Sequence, residues 1–78
     1  MKNVVVYSTA MCPYCVMEKD WLKKNGIDFK NVMVDEDRKA AQEMILKSGQ
    51  TGVPVTDIDG AIVVGFNKEE LKRLLGIK

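Results

Sequence analysis

The chain has 78 residues, a formal net charge of +1, two cysteines and no histidine. That length predicts one domain, spanning 1–78, near the lower limit at which a single hydrophobic core sustains a fold. Acids and bases interleave along the chain, as in residues 16–21 and 34–40, so no basic stripe exists for a run of phosphates and nucleic acid is not expected as a partner.

The missing histidine removes the usual general base, the usual proton shuttle and the commonest metal ligand. Chemistry is left to cysteine, carboxylates, lysine and the backbone. Residues 3–8, Asn-Val-Val-Val-Tyr-Ser, form a β-branched run and predict a buried strand. Its apolar core, Val4-Val5-Val6, is far too short to span a membrane. The first eight residues carry a lysine but lack the longer apolar stretch and small-residue cleavage site of a secretory signal. The expected location is therefore the cytoplasm.

Residues 13–26 have helical composition, with Pro13 suited to a first turn and Gly26 to the position just past the end. Residues 28–34 alternate Phe29, Val32 and Val34 imperfectly and sit where a second strand belongs. Residues 35–49 open with acids, which favour a helix N-terminus. Ala40, Ala41, Met44 and Ile45 share a face there, and Gly49 can end the helix. In residues 53–65, Asp59-Gly60 is a two-residue hairpin signal between two β-branched runs. Residues 67–76 are helical, with Asn67 and Glu70 at capping-box spacing and an apolar stripe of Leu71, Leu74 and Leu75. The order is β-α-β-α-β-β-α. The first βαβ unit gives parallel strands by a right-handed crossover, and the hairpin adds two antiparallel ones. The expected fold is α/β: a four-stranded mixed sheet with three flanking helices.

The two cysteines bracket the start of the first helix, in Cys12-Pro13-Tyr14-Cys15. Backbone N–H groups at a helix start have no internal partner, and with the macrodipole they favour an anion. Cys12 should therefore ionise more readily than a free cysteine, and the thiolate is the nucleophile. Pro13 donates no N–H but stiffens the turn. Cys15, three residues on, shares the face of Cys12 and can form a disulfide with it. The predicted chemistry is exchange: Cys12 attacks a substrate disulfide, and Cys15 then attacks Cys12, releasing the reduced product. A structural disulfide is the duller alternative, but so small a loop constrains the unfolded chain little and a cytosolic setting disfavours it. A zinc site needs four ligands, and this chain supplies two cysteines. A Cys-x-x-Cys beside a βαβ pattern reads as thioredoxin-like.

With these residues in place, the sequence resembles the glutaredoxins of the thioredoxin superfamily over almost its whole length. Cys-Pro-Tyr-Cys at 12–15 is similar to the dithiol motif of that family, and residues 47–55 resemble the segment that there carries Thr-Val-Pro. The resemblance implies a thioredoxin-like fold. It implies a cis peptide before Pro54, and a Val53 backbone that pairs with an extended substrate in the manner of an added strand. Three positions depart from the family pattern. Gly52 stands for its Thr, Thr9 for a Lys three residues before the first cysteine, and Gly65-Phe66-Asn67-Lys68 for a glutathione-binding Gly-Gly-x-Asp. The Gly-Phe version is closer to glutaredoxin-like proteins that resemble thioredoxin in function, among them those serving ribonucleotide reductase.

Several residues carry two readings. Tyr14 lines a substrate groove or shields the disulfide. Lys19 favours the thiolate or is a solvated lysine whose stem covers apolar surface. Gly65-Phe66 contacts substrate, or makes a tight lead into the last helix with Phe66 in the core. Trp21 is read as packing. Glu18, Asp20 and the charged run 35–39 are read as solvated surface. The expected function is a thiol–disulfide oxidoreductase that reduces protein or low-molecular-weight disulfides and acts as electron donor to other enzymes. Its substrate site comprises Pro13, Tyr14, Gly52, Val53, Pro54, Gly65, Phe66 and Asn67, and its catalytic pair is Cys12 and Cys15. No bound cofactor or metal is expected, with glutathione at most a weak co-substrate. Expected partners are protein disulfides, with ribonucleotide reductase, methionine sulfoxide reductase and peroxidases as candidates by resemblance, and a thiol or reductase donor. The chain is expected to act as a monomer. The competing functions are a dimeric iron–sulfur or metal carrier using Cys12, and a redox-regulated binding module without turnover.

Overall fold

The computed structural model describes residues 3–77. Met1 and Lys2, part of the stretch read above for a secretory signal, lie outside them, as does Lys78. The elements follow the expected order: β1 (Val4–Ser8), α1 (Pro13–Lys24), β2 (Lys30–Met33), α2 (Arg38–Ser48), β3 (Val55–Ile58), β4 (Ala61–Val64) and α3 (Lys68–Leu75). They build a four-stranded mixed sheet in the spatial order β2-β1-β3-β4. β1 pairs parallel to β2, and antiparallel pairing joins β1 to β3 and β3 to β4. This is the thioredoxin-like arrangement. No helix among the described residues is long and apolar enough to cross a membrane.

Alternation along the strands sorts their side chains to two faces. On one face Val4, Val6, Ile58 and Val63 pack with Leu22 of α1 and Leu71 of α3. Trp21, Phe29, Phe66, Leu74 and Leu75 close around them. On the other face Tyr7 and Val55 meet Ala40 and Met44 of α2. The hairpin turns at Asp59-Gly60, both at positive φ (51° and 94°), the mirror-image turn that fits the strand twist.

Helix ends follow the local chemistry. Asp37, not the start of the acidic run, is the N-cap of α2, accepting the Ala40 N–H, so the helix begins at Arg38 and residues 35–36 stay in the preceding turn. Gly49 ends it in the left-handed region at φ 72°. Asn67 caps α3 by accepting the Glu70 N–H at 3.2 Å. The reciprocal half of the capping box is absent, because the Glu70 carboxylate pairs with Arg73 and the Asn67 N–H bonds to Gly65 O instead. Of the four apolar residues expected on one face of α2, Ala40 and Met44 are buried, whereas Ile45 lies at the exposed margin.

Candidate active site at the dithiol

Strand register gathers the candidate residues at one end of the sheet. Tyr7 near the end of β1 is level with Val55 at the start of β3, which is level with Val64 at the end of β4. The chain leaves β1 toward Cys12, reaches β3 from Pro54, and leaves β4 into Gly65 and α3. The N-termini of α1 and α3 therefore lie at the same end as Pro54. Gly65 N–H donates to Pro54 O at 2.8 Å, which joins two segments singled out in the sequence. The Val53–Pro54 peptide is cis, as the family resemblance implies.

Cys12 is the N-cap of α1, in extended backbone, with Pro13 as the first helical residue. The Cys12 Sγ accepts the Cys15 N–H at 3.1 Å. The two cysteines are joined as a disulfide, their Cα atoms 5.2 Å apart. Cys15 is fully buried, and Cys12 retains 8% exposure. Exposed apolar side chains, Met11, Tyr14, Val16 and Met17, neighbour the pair in sequence. Ala10, Met11, Cys12, Pro13 and Val16 line an open hollow of about 300 Å³ beside it.

The remaining candidates divide. The Gln50 side chain grips Gly52: its Oε1 accepts the Gly52 N–H, and its Nε2 donates to the Gly52 carbonyl at 2.9 Å. A Cβ at Gly52 would come within 2.7 Å of that Oε1. Val53 packs half-buried against the α2 face of the sheet. Phe66 takes the packing role, edge-on to Trp21 with ring centroids 6.0 Å apart, and Lys68 Nζ lies 5.5 Å from its ring centre. Asn67 spends its side chain as a cap. Lys19 sends its Nζ to the buried Ser8 Oγ at 3.5 Å.

Glu18 corrects the sequence reading. It is not solvated surface; its exposure is 0%. Cys15, Glu18 and Leu22 form the buried stripe of α1, with spacings of three and four. The carboxyl lies over the row Val6–Thr56–Val63, where Thr56 Oγ1 donates to Glu18 Oε2 at 2.5 Å. Its other oxygen, Oε1, is buried with no hydrogen-bond partner among the described residues. Burial raises the carboxyl from 4.5 to about 7, opposed by the Thr56 hydrogen bond. The signal that finds it is periodicity: a charge at a core position of the stripe set by Cys15 and Leu22.

A second polar group joins α2 to the sheet on the far face. Lys47 Nζ bonds to Tyr7 Oη at 2.9 Å and to Asp57 Oδ2 at 2.8 Å. Burial pushes the Asp57 carboxyl up, but hydrogen bonds from Lys47 and the Gly60 N–H, with the Lys47 charge, outweigh it and hold the group below its usual range.

Comparison with known proteins agrees with this geometry. The family model for glutaredoxin matches residues 4–63. A glutaredoxin-like 8.6 kDa protein of the rubredoxin operon of Clostridium pasteurianum is 49% identical over 72 residues, covering 92% of this chain and 96% of that protein. The crystal structure of a single-site mutant of a thioredoxin-like protein superposes with a TM-score of 0.92 at 35% identity, covering 100% of both chains. The structure of the glutaredoxin-like protein NrdH-redoxin from Escherichia coli, described with a thioredoxin-like activity profile, matches with a TM-score of 0.83 at 25% identity, covering 92% of this chain and 93% of that one.

Proposed function

Since the chain belongs to the glutaredoxin family, whose chemistry is thiol–disulfide exchange, we propose that it is a dithiol disulfide oxidoreductase in which Cys12 attacks and Cys15 resolves. The observation that carries this reading is the asymmetry of the pair. Cys12 caps α1 and accepts the Cys15 N–H, while Cys15 is sealed beneath it. In the reduced protein the same N–H and the helix dipole favour a thiolate at Cys12. The Cys12 thiolate attacks a substrate disulfide, one substrate sulfur leaves as thiolate, and a mixed disulfide forms. Cys15 then attacks the Cys12 sulfur, the second substrate thiol departs, and the Cys12–Cys15 disulfide remains. Two electrons have passed to the substrate, and an external thiol donor must return them.

The proposed substrates are protein disulfides, so the chain acts as electron donor to other enzymes, in a reducing compartment such as the cytoplasm. The exposed apolar side chains of Met11, Tyr14, Val16 and Met17 support a macromolecular partner, since clustered exposed apolar side chains mark contact surfaces. The Val53 backbone, in the loop that leads into β3, is proposed to pair with an extended segment of the substrate. Glutathione is proposed as a weak co-substrate only. The acidic side chain that would meet its ammonium is absent from residues 65–68, and Lys68 brings the opposite charge. The test compares steady-state turnover on a protein disulfide and on a glutathione mixed disulfide, with glutathione or a thioredoxin reductase as electron source. Higher kcat/KM on the protein disulfide supports the proposal. Saturable preference for the glutathione adduct defeats the substrate assignment.

A further inference from the structure

We propose that Glu18 exchanges a proton with Cys15: its unpartnered carboxylate oxygen, enclosed with Cys15 on the buried stripe of α1, takes the thiol proton during resolution and returns it during reduction. This rests on the reading of Cys15 as the resolving thiol.

The need arises from burial. Cys15 is fully buried, so its thiol has no bulk water to which it can lose a proton, and a thiol must become a thiolate to attack. A group that accepts the proton inside the protein removes that obstacle. Residues three apart on a helix have Cβ atoms about 5–6 Å apart. Side chains lean toward the helix N-terminus, so Glu18 leans toward Cys15. Thr56 holds one carboxyl oxygen, fixing the group, and leaves Oε1 without a partner. An orphaned acceptor in a native core calls for an explanation. A buried carboxylate in an apolar layer is costly for stability alone, and a proton-transfer role explains its presence there. Burial also holds the carboxyl near neutral, where a group both accepts and donates protons.

Other charged groups around Glu18 are engaged elsewhere. On α1, Lys19 bonds to Ser8 and Asp20 pairs with Lys24. On β3, Asp57 is held by Lys47 on the α2 side. On β1, Val6 and Ser8 bring no charge toward α1, and on β4 the residue level with Thr56 is Val63. On α3 the buried residue is Leu71, Glu70 pairs with Arg73, and Lys68 lies over Phe66. Among the described residues, Cys15 is the titratable group that shares the buried stripe of α1 with Glu18, and Lys19, bonded to the neutral Ser8, keeps its charge on the α1 side of the sheet.

The step balances. Cys15 thiol, Glu18 carboxylate and the Cys12 mixed disulfide give the Cys12–Cys15 disulfide, the substrate thiolate and protonated Glu18. In the return direction a donor thiolate attacks Cys12, the S–S bond breaks, and Cys15 leaves as thiolate and takes the Glu18 proton. A second donor thiol then frees Cys12.

The experiment separates the two half-reactions in Glu18→Gln, which keeps an oxygen for Thr56 but cannot accept the proton. Mixed-disulfide formation is followed in a Cys15→Ser background and resolution in the intact dithiol, by rapid mixing between pH 5 and 9. The expected result is an unchanged first half-reaction. Resolution falls roughly ten- to a hundredfold at pH 7, loses its inflection near neutral pH, and converges with wild type at high pH. Equal resolution rates and profiles overturn the assignment while leaving the exchange reaction standing. No mixed disulfide in any background overturns both. Infrared difference spectra of wild type provide the independent check: a protonated-carboxyl band should change between oxidised and reduced protein and vanish in Glu18→Gln. A band indifferent to redox state overturns the proposal.

Discussion

Replacing Glu18 by Gln should flatten the pH dependence of stability between about pH 4.5 and pH 7. The folded carboxyl is raised by burial from 4.5 to about 7. As pH rises, the unfolded chain releases this proton first, so the folded state binds more protons across that window and its stability falls. The contribution is complete below pH 4.5 and lost above about 7. At about 1.4 kcal/mol per tenfold, the interval amounts to about 3 kcal/mol, a large fraction of the 5–15 kcal/mol typical of a whole domain. Glu18→Gln carries no titration. Its amide group occupies the place of the orphaned Oε1 without a partner, which costs about 1–3 kcal/mol at every pH. The variant should therefore be less stable than wild type at pH 4.5 and equal or more stable at pH 8. The assay is urea unfolding of the oxidised protein across this range. The depressed Asp57 carboxyl acts below pH 4 and does not blur the window. Parallel wild-type and variant profiles would refute the buried, partly protonated carboxyl.

Thr56→Val removes the hydrogen bond that lowers Glu18, so the wild-type stability inflection should move above about pH 7 in the same unfolding series. Lys47→Met breaks the links to Tyr7 and Asp57; it should cost about 1 kcal/mol at neutral pH, partly exposed pairs being weak. That variant should lose less on acidification than wild type, because the Asp57 carboxyl is no longer held low and its stabilising contribution, present above its ordinary value and lost below it, disappears. Lys68→Asp should raise kcat/KM on a glutathione mixed disulfide by roughly tenfold, the worth of one charge-assisted contact, and leave turnover on a protein disulfide nearly unchanged.

The parts of the fold legible in the sequence are those fixed by local chemistry. The Asp59-Gly60 turn, the Asn67 cap and the Gly49 stop each depend on a few adjacent residues and lie where expected. The start of α2 is less legible, because Asp35 and Asp37 offer similar caps and only tertiary context selects Asp37; Asp35 instead accepts the Ala10 N–H. The cysteine pair declares itself by spacing alone. Phe66 does not, since its choice between groove and core depends on Trp21, distant in sequence. Glu18 is hard to read from sequence because a charge within a run of charged residues resembles surface, and the residue that makes its burial tolerable, Thr56, is 38 positions away.

The most direct test of the central claim is intact-mass analysis of two single variants, Cys15→Ser and Cys12→Ser, after brief exposure to a protein disulfide. The account predicts that Cys15→Ser accumulates a near-stoichiometric mixed disulfide through Cys12, and that Cys12→Ser, whose remaining thiol is fully buried, forms essentially none. Comparable adduct on Cys15 in the Cys12→Ser protein, or no adduct on Cys12 in the other, would contradict it.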